Sequence, residues 1–240
     1  MSWIDAIKQK IKSSLENLGF SKTESPGAAA QKCDGNTSAP PTVTGLGPSV
    51  DALASQSPTL KSNIDTLQKG GWTIRYGDAG KGSYCNKDQK TIVIDSQFQN
   101  NSSVVTQILS HESGHALYTA DPYVNETGRT KAEYVSLNAN RHLKDEGEAT
   151  LVNARVRQEI LKSSGTDIGI AGSQTASYEK IISKYTSDKD RDKARQEIAD
   201  IFADNEKPSG SPAGTTYRIY YSQSYSDHWD NVIAPKLKKP

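Results

Sequence analysis

The sequence predicts an α+β fold that is mostly helical, with a small β-sheet placed before a helix that carries a His-Glu-x-x-His motif. Three observations lead to this prediction. Apolar residues recur at helical spacing in most segments after residue 49. Two short stretches, at residues 72–76 and 90–95, are typical of strands and are joined by a glycine-rich loop. The motif, at residues 111–115, follows the second stretch after a short polar loop.

The 240 residues are enough for one domain of ordinary size and an N-terminal extension. Residues 21–48 are rich in Ser, Thr, Gly, Pro and Ala without periodicity, which indicates a linker. We therefore expect the domain to span residues 49–240. Residues 1–20 are predicted to form an amphipathic helix, whose apolar stripe consists of Ile4, Ile7, Ile11, Leu15 and Leu18.

The composition argues against two classes of protein. The net charge of +1 arises from 29 basic and 28 acidic residues, so bulk electrostatics do not favour nucleic acid or a membrane surface as a partner. No apolar run approaches the roughly 18 residues of a membrane span. The N-terminal residues also lack the pattern of a secretory signal, so we expect the protein to be made in the cytoplasm without a signal peptide.

The two cysteines, Cys33 and Cys85, do not form a C-x-x-C pair. They are compatible with one disulfide between linker and domain, which would imply an oxidising destination, or with two free thiols. The sequence leaves these alternatives open.

The helices and strands are predicted in order along the domain. A helix at residues 49–69 ends at Gly70-Gly71, and residues 101–103 supply candidate N-caps for the motif helix, at residues 104–118. The strand at 90–95 lies just before that helix, where an exposed sheet edge would accept an extended peptide. The other helices are predicted at residues 130–161, 175–185 and 190–205, with loops at 163–173 and 207–215.

The motif has the spacing of a metal site. Because an α-helix has about 3.6 residues per turn, His111 and His115 lie on one face and two imidazole nitrogens can converge on one cation. Val104 and Ile108 continue the same stripe, so this face should be buried. Glu112 lies about a third of a turn away. This is the arrangement of zinc peptidases.

A catalytic zinc needs a third protein ligand and one open position. One candidate is Asp121, ten residues after His111, which requires a sharp turn of the chain beneath the metal. That turn favours glycine at the position where Tyr118 stands. The other candidates are Glu146 and its alternative Glu148, on the following helix.

Residues 145–149, Asp-Glu-Gly-Glu-Ala, resemble the Asn-Glu-Gly-x-Ala segment of gluzincin peptidases. The resemblance implies a zincin-like metallopeptidase domain, Zn²⁺ as cofactor, and Glu146 as the third ligand. Asp145 departs from the family's asparagine, and Thr150 stands where some relatives have an aspartate. Glu148 is about 200° round the helix from Glu146, so only one of the two can face the metal, and Ala149 shares the face of Glu146.

The resemblance also implies a mechanism in which zinc activates water, and Glu112 takes the proton from that water and delivers it to the leaving amine. The oxyanion needs a further donor, commonly Tyr, His or Arg. None is assigned by the sequence; the candidates are Tyr134, His142, Tyr217, Tyr220, Tyr221 and His228.

A compact metallopeptidase domain behind an N-terminal helix and a spacer resembles the peptidase toxins of bacterial polymorphic toxin and type VI secretion systems. That resemblance implies a protein or peptide substrate, a cognate immunity protein, a delivery-machine partner and export by a dedicated secretion system. Two alternatives are an intracellular regulatory metallopeptidase and a non-catalytic zincin-like binding module.

Overall fold

The computed structural model describes residues 43–208 and 211–237. The predicted N-terminal helix, most of the predicted linker and Cys33 lie outside these residues. The described chain is mostly helical and contains a small sheet, as the sequence predicts. The sheet has three strands. Its elements are α1 (Pro48–Ser55), α2 (Pro58–Lys69), β1 (Thr73–Gly77), β2 (Tyr84–Asn86), β3 (Thr91–Asp95), α3 (Ser102–Leu117), α4 (Lys131–Ser164), α5 (Thr175–Lys184), α6 (Arg191–Asn205), α7 (Tyr217–His228) and α8 (Ala234–Leu237).

The first predicted helix, at residues 49–69, is wrong as a single element, because the chain forms α1 and α2 with a break at Gln56 and Ser57. Proline at position 58 has no backbone N–H, so it suits the first turn of a new helix and not the interior of a longer one. The Ser57 hydroxyl accepts a hydrogen bond from the backbone N–H of Leu60 and so caps α2. The apolar residues keep helical spacing across the break, so the sequence pattern predicts one helix instead of two.

The strand order is β1-β3-β2, with β1 parallel and β2 antiparallel to β3. The sequence predicts β1 and β3 but not β2, which is only three residues long and follows the glycine-rich stretch. Since β3 is paired on both sides, the hypothesis that residues 90–95 offer an exposed edge is wrong. The edge strand packed beside α3 is β2.

A buried carboxylate fixes the loop that leads to β2. Asp95, at the end of β3, accepts hydrogen bonds from the backbone N–H groups of Gly80 at 2.9 Å and Gly82 at 2.7 Å. Both glycines have left-handed backbone conformations, with φ near 71° and 75°, which only glycine adopts readily. The loop therefore sets where β2 begins and places this edge strand next to the motif helix.

The long helix α4 is the centre of the domain. One core cluster joins it to α1, α2, α3 and the sheet, and a second joins it to α5, α6 and α7. The predicted inward stripe of α4 is confirmed, since Ala149, Val152, Val156 and Ile160 are all buried. The α7 helix has no counterpart in the sequence prediction. In the part of the chain that the structure describes, no helix combines the length and apolar character needed to cross a bilayer.

The motif helix and α4 approach closely at Gly114. A Cβ atom added to this glycine would lie 2.6 Å from the Cα atom of Ala149 and 3.2 Å from the Cβ atom of Val152. Neither neighbour is the flexible end of a side chain, so the helices would have to separate. The small residues at this crossing set the distance between the faces that carry the histidines and Glu146.

We expect Gly114→Ala to lower the free energy of unfolding by about 1–3 kcal/mol, because overpacking forces the two helices apart. Urea denaturation measures this change, and Ser103→Ala, at the start of the same helix, is the control for a small change in side-chain volume. A Gly114→Ala protein as stable as wild type would show that the crossing has room for a methyl group.

Candidate metal centre

The motif helix begins as the sequence predicts. The side chain of Asn101, one of the three predicted caps, accepts a hydrogen bond from the backbone N–H of Val104 at 3.2 Å. From this start the helix runs to Leu117, and both histidines lie in its last two turns. The face that carries them meets α4 and β2.

The structure brings the side chains of His111, His115 and Glu146 together. The two Nε2 atoms are 3.2 Å apart, and Oε2 of Glu146 lies 3.7 Å from Nε2 of His111 and 3.6 Å from Nε2 of His115. A tetrahedral zinc ion with ligand bonds of about 2.0–2.1 Å separates its ligand atoms by about 3.3 Å. The three atoms are close to that spacing, so this buried group could hold a metal ion.

A carboxylate oxygen without a partner supports the same conclusion. Glu146 is 3% exposed, and its Oε2 atom has no hydrogen-bond partner among the described residues. The two imidazoles are beyond hydrogen-bonding distance of it. A buried anionic oxygen left in this way is costly, and a cation bound between it and the imidazoles would remove the cost.

Asp145 orients one of the histidines. Its Oδ1 atom is 3.0 Å from Nδ1 of His115, so Nδ1–H donates to the carboxylate and Nε2 faces the cluster. Lys87, just after β2, lies 3.6 Å from the other oxygen of Asp145. Asp145, the residue that departs from the gluzincin pattern, thus fixes the orientation of the His115 ring and leaves Nε2 directed at the other two candidate ligands.

The charges of the cluster shift the pKa values of its members. Burial opposes a charge on His115, but the carboxylates of Asp145 and Glu146 outweigh it and raise the pKa of His115 well above its usual value. Burial likewise opposes a charge on Glu146, yet the imidazoles of His115 and His111 lower the pKa of this carboxyl. The cluster therefore already favours a positive charge beside the Glu146 carboxylate.

Glu112 lies beside the three candidate ligands and is 2% exposed. Burial raises its pKa, while the nearby imidazoles act in the opposite direction. Its Oε2 atom has no hydrogen-bond partner within the described ranges. A buried carboxyl with an unused oxygen and a raised pKa is suited to accepting and returning a proton.

Cys85 places the edge strand near Glu112. Burial raises the pKa of its thiol, and the charge of Glu112 adds to this effect. The thiol is free among the described residues. Because Cys33 lies outside them, the alternatives of a disulfide and two free thiols both stay open.

The two other candidate ligands lie elsewhere. Glu148 is buried on the opposite side of α4 and accepts hydrogen bonds from the guanidinium groups of Arg191 and Arg195 of α6. The carboxylate of Asp121 is half exposed and pairs with Lys144 at 2.8 Å. The structure thus places Glu146, and neither alternative, against the imidazoles.

The candidate oxyanion donors are spread over two clusters. Tyr134 packs against His228, and its hydroxyl is 2.7 Å from that of Tyr123. His142 is stacked on Tyr221, whose hydroxyl donates to Glu146 at 3.1 Å. The remaining two, Tyr217 and Tyr220, lie beside Tyr221. Tyr221 is thus placed to orient a ligand, and the oxyanion donor stays unassigned.

The roles of Asp145, Lys87 and Tyr221 are not predictable from the motif. The one feature of the sequence that could have indicated a role for Asp145 is that this acidic residue directly precedes the candidate ligand Glu146. Tyr221 is 75 residues away from Glu146 along the chain, and no local pattern marks that contact.

Comparison of the chain with protein-family models, curated proteins and solved structures finds no match in any of the three.

Proposed function

We propose that this protein is a zinc-dependent hydrolase of peptide bonds, with His111, His115 and Glu146 as metal ligands and Glu112 as general base. The observation that carries the proposal is the triangle of two imidazole nitrogens and one unpaired carboxylate oxygen, buried next to a second carboxyl. Two His and one Glu, with a fourth position left for water, form a ligand set typical of catalytic zinc.

His111, His115 and Glu146 would hold the zinc ion, which when bound would act as a Lewis acid toward water and the scissile carbonyl. Glu112 accepts a proton from the attacking water and delivers it to the leaving amine. Asp145 keeps the His115 ring in the orientation that presents Nε2. Burial of Glu112 supports this role, because a raised pKa makes its carboxylate a stronger base toward the proton of the water.

Peptide is the proposed substrate class because of the strand beside the site. In the described part of the chain, β2 is paired only with β3, and an extended peptide added to its other edge would continue the sheet. The position of Cys85 near Glu112 would bring such a peptide next to the general base. Protein and peptidoglycan stem peptide both fit this class.

Delivery as a bacterial toxin, with an immunity protein and a secretion system, is a further proposal based on the organisation of the sequence alone. The N-terminal segment on which it depends lies outside the described residues. Expression with and without an export signal tests it, since toxicity confined to one compartment would locate the target.

Removal of the metal tests the enzymatic proposal directly. We expect one zinc ion per chain, loss of casein hydrolysis after dialysis against a chelator, and recovery on addition of equimolar Zn²⁺ but not Mg²⁺, which prefers oxygen ligands. Hydrolysis that continues at the same rate in metal-free protein would contradict the proposal. Stoichiometric zinc without hydrolysis of casein or peptidoglycan peptides would instead favour the non-catalytic binding module.

A further inference from the structure

The helix α7 contacts the candidate metal centre through one hydroxyl group. Tyr221, in the middle of the helix, is 1% exposed, and its hydroxyl donates to Oε1 of Glu146 at 3.1 Å. A carboxylate only accepts hydrogen bonds, so the tyrosine must be the donor. With Oε1 held in this way, Oε2 is the oxygen that faces the two imidazoles.

His142 makes further contacts with α7 next to the hydrogen bond between Tyr221 and Glu146. His142, one turn before Glu146 on α4, stacks on the ring of Tyr221 with centroids 4.9 Å apart and planes 11° from parallel. Its Nε2 atom is 2.8 Å from the hydroxyl of Tyr225, one turn further along α7. The tyrosine that holds Glu146 is therefore itself fixed by packing against the helix that carries Glu146.

The helix α7 is a separate element from α6. Helix α6 ends at Asn205 and α7 begins at Tyr217, and the described residues between them, 206–208 and 211–216, are not helical. Packing of α7 against the rest of the domain buries Tyr217, Tyr221 and Tyr225. If α7 were undocked, Glu146 would lose the donor to Oε1 and its carboxyl group could rotate away from the imidazoles.

We infer that Tyr221 is a positioning residue for the metal ligand Glu146, and that docking of α7 and metal binding favour each other. The inference rests on the proposed metal site. Coupling of this kind is reciprocal: if the docked helix increases metal affinity, bound metal stabilises the docked helix by the same free energy.

The test compares Tyr221→Phe with Tyr217→Phe. Tyr217 is one turn earlier on the same helix and is equally buried, but its hydroxyl has no hydrogen-bond partner among the described residues, so it is a matched control. We expect Tyr221→Phe to weaken Zn²⁺ binding by about 10–100-fold in a chelator competition, as loss of a partner to a metal ligand usually does. Tyr217→Phe should change the affinity by less than about two-fold.

Two further measurements separate positioning from general damage to the fold. The visible absorption of bound Co²⁺ should change in Tyr221→Phe and not in Tyr217→Phe, because it reports the geometry of the ligands. In wild-type protein, saturating Zn²⁺ should slow proteolysis within residues 207–215, which tests the coupling without any substitution.

The inference is overturned by equal zinc affinity in wild type and Tyr221→Phe, by equal losses in the two variants, or by proteolysis that zinc does not slow. Each of these results leaves the proposed hydrolase intact, provided that wild type binds one metal ion and cleaves its substrate. Wild-type protein without stoichiometric metal would remove the proposed function and this inference together.

Discussion

Glu112→Gln is expected to lower the rate of peptide hydrolysis by about 10²–10⁴-fold while the protein keeps one zinc ion per chain. The amide has the size of the carboxyl group but cannot accept the proton of the attacking water. Because Glu112 is buried and its Oε2 atom lacks a partner in the described chain, the neutral side chain should not destabilise the fold. Initial rates with casein and metal analysis of the same sample measure both quantities.

Glu206→Gln is the control for replacing a buried glutamate. Glu206 is 4% exposed and accepts hydrogen bonds from Ser173, Gln174 and Tyr178, away from the metal centre. Its replacement should lower stability without changing the rate per folded molecule. Hydrolysis at the wild-type rate by Glu112→Gln would refute the general-base assignment even if zinc is bound.

The two glutamates of α4 should respond in opposite ways. Glu146→Gln is expected to weaken zinc binding by more than the roughly 100-fold seen for loss of an outer partner, since it removes a charged ligand. Glu148→Gln should leave zinc affinity unchanged but lower the free energy of unfolding by about 2 kcal/mol, because Arg191 and Arg195 lose their buried partner. Both arginines keep some contact with solvent, which limits the cost.

Chelator competition measures the zinc affinity of both variants, and urea denaturation measures their free energy of unfolding. Each variant is the control for the other, because both replace a buried glutamate of α4 by glutamine. Loss of zinc in Glu148→Gln together with retention in Glu146→Gln would reverse the assignment of the third ligand. Loss in both would show that the charge of α4 as a whole, and not one carboxylate, decides the affinity.

Much of the helical framework is predictable because its signals are local. The helices that carry the histidines and Glu146 start and end within three residues of the predicted positions, since caps and apolar periodicity act over a few residues. The predicted helix at 49–69 fails for the same reason, because Pro58 allows a break that the apolar pattern does not reveal. Strand β2 is too short to produce a pattern at all.

The sequence by itself determined that His111 and His115 share one helical face and that Glu146 and Glu148 point apart, because helical geometry follows from residue spacing. Only the tertiary structure decided which glutamate meets the imidazoles. That choice depends on how closely α3 and α4 pack at Gly114, and on Arg191 and Arg195 drawing Glu148 to the other side. The tertiary structure also decided that Tyr221 of α7 donates a hydrogen bond to Glu146, since contacts between distant segments have no local signal in the sequence.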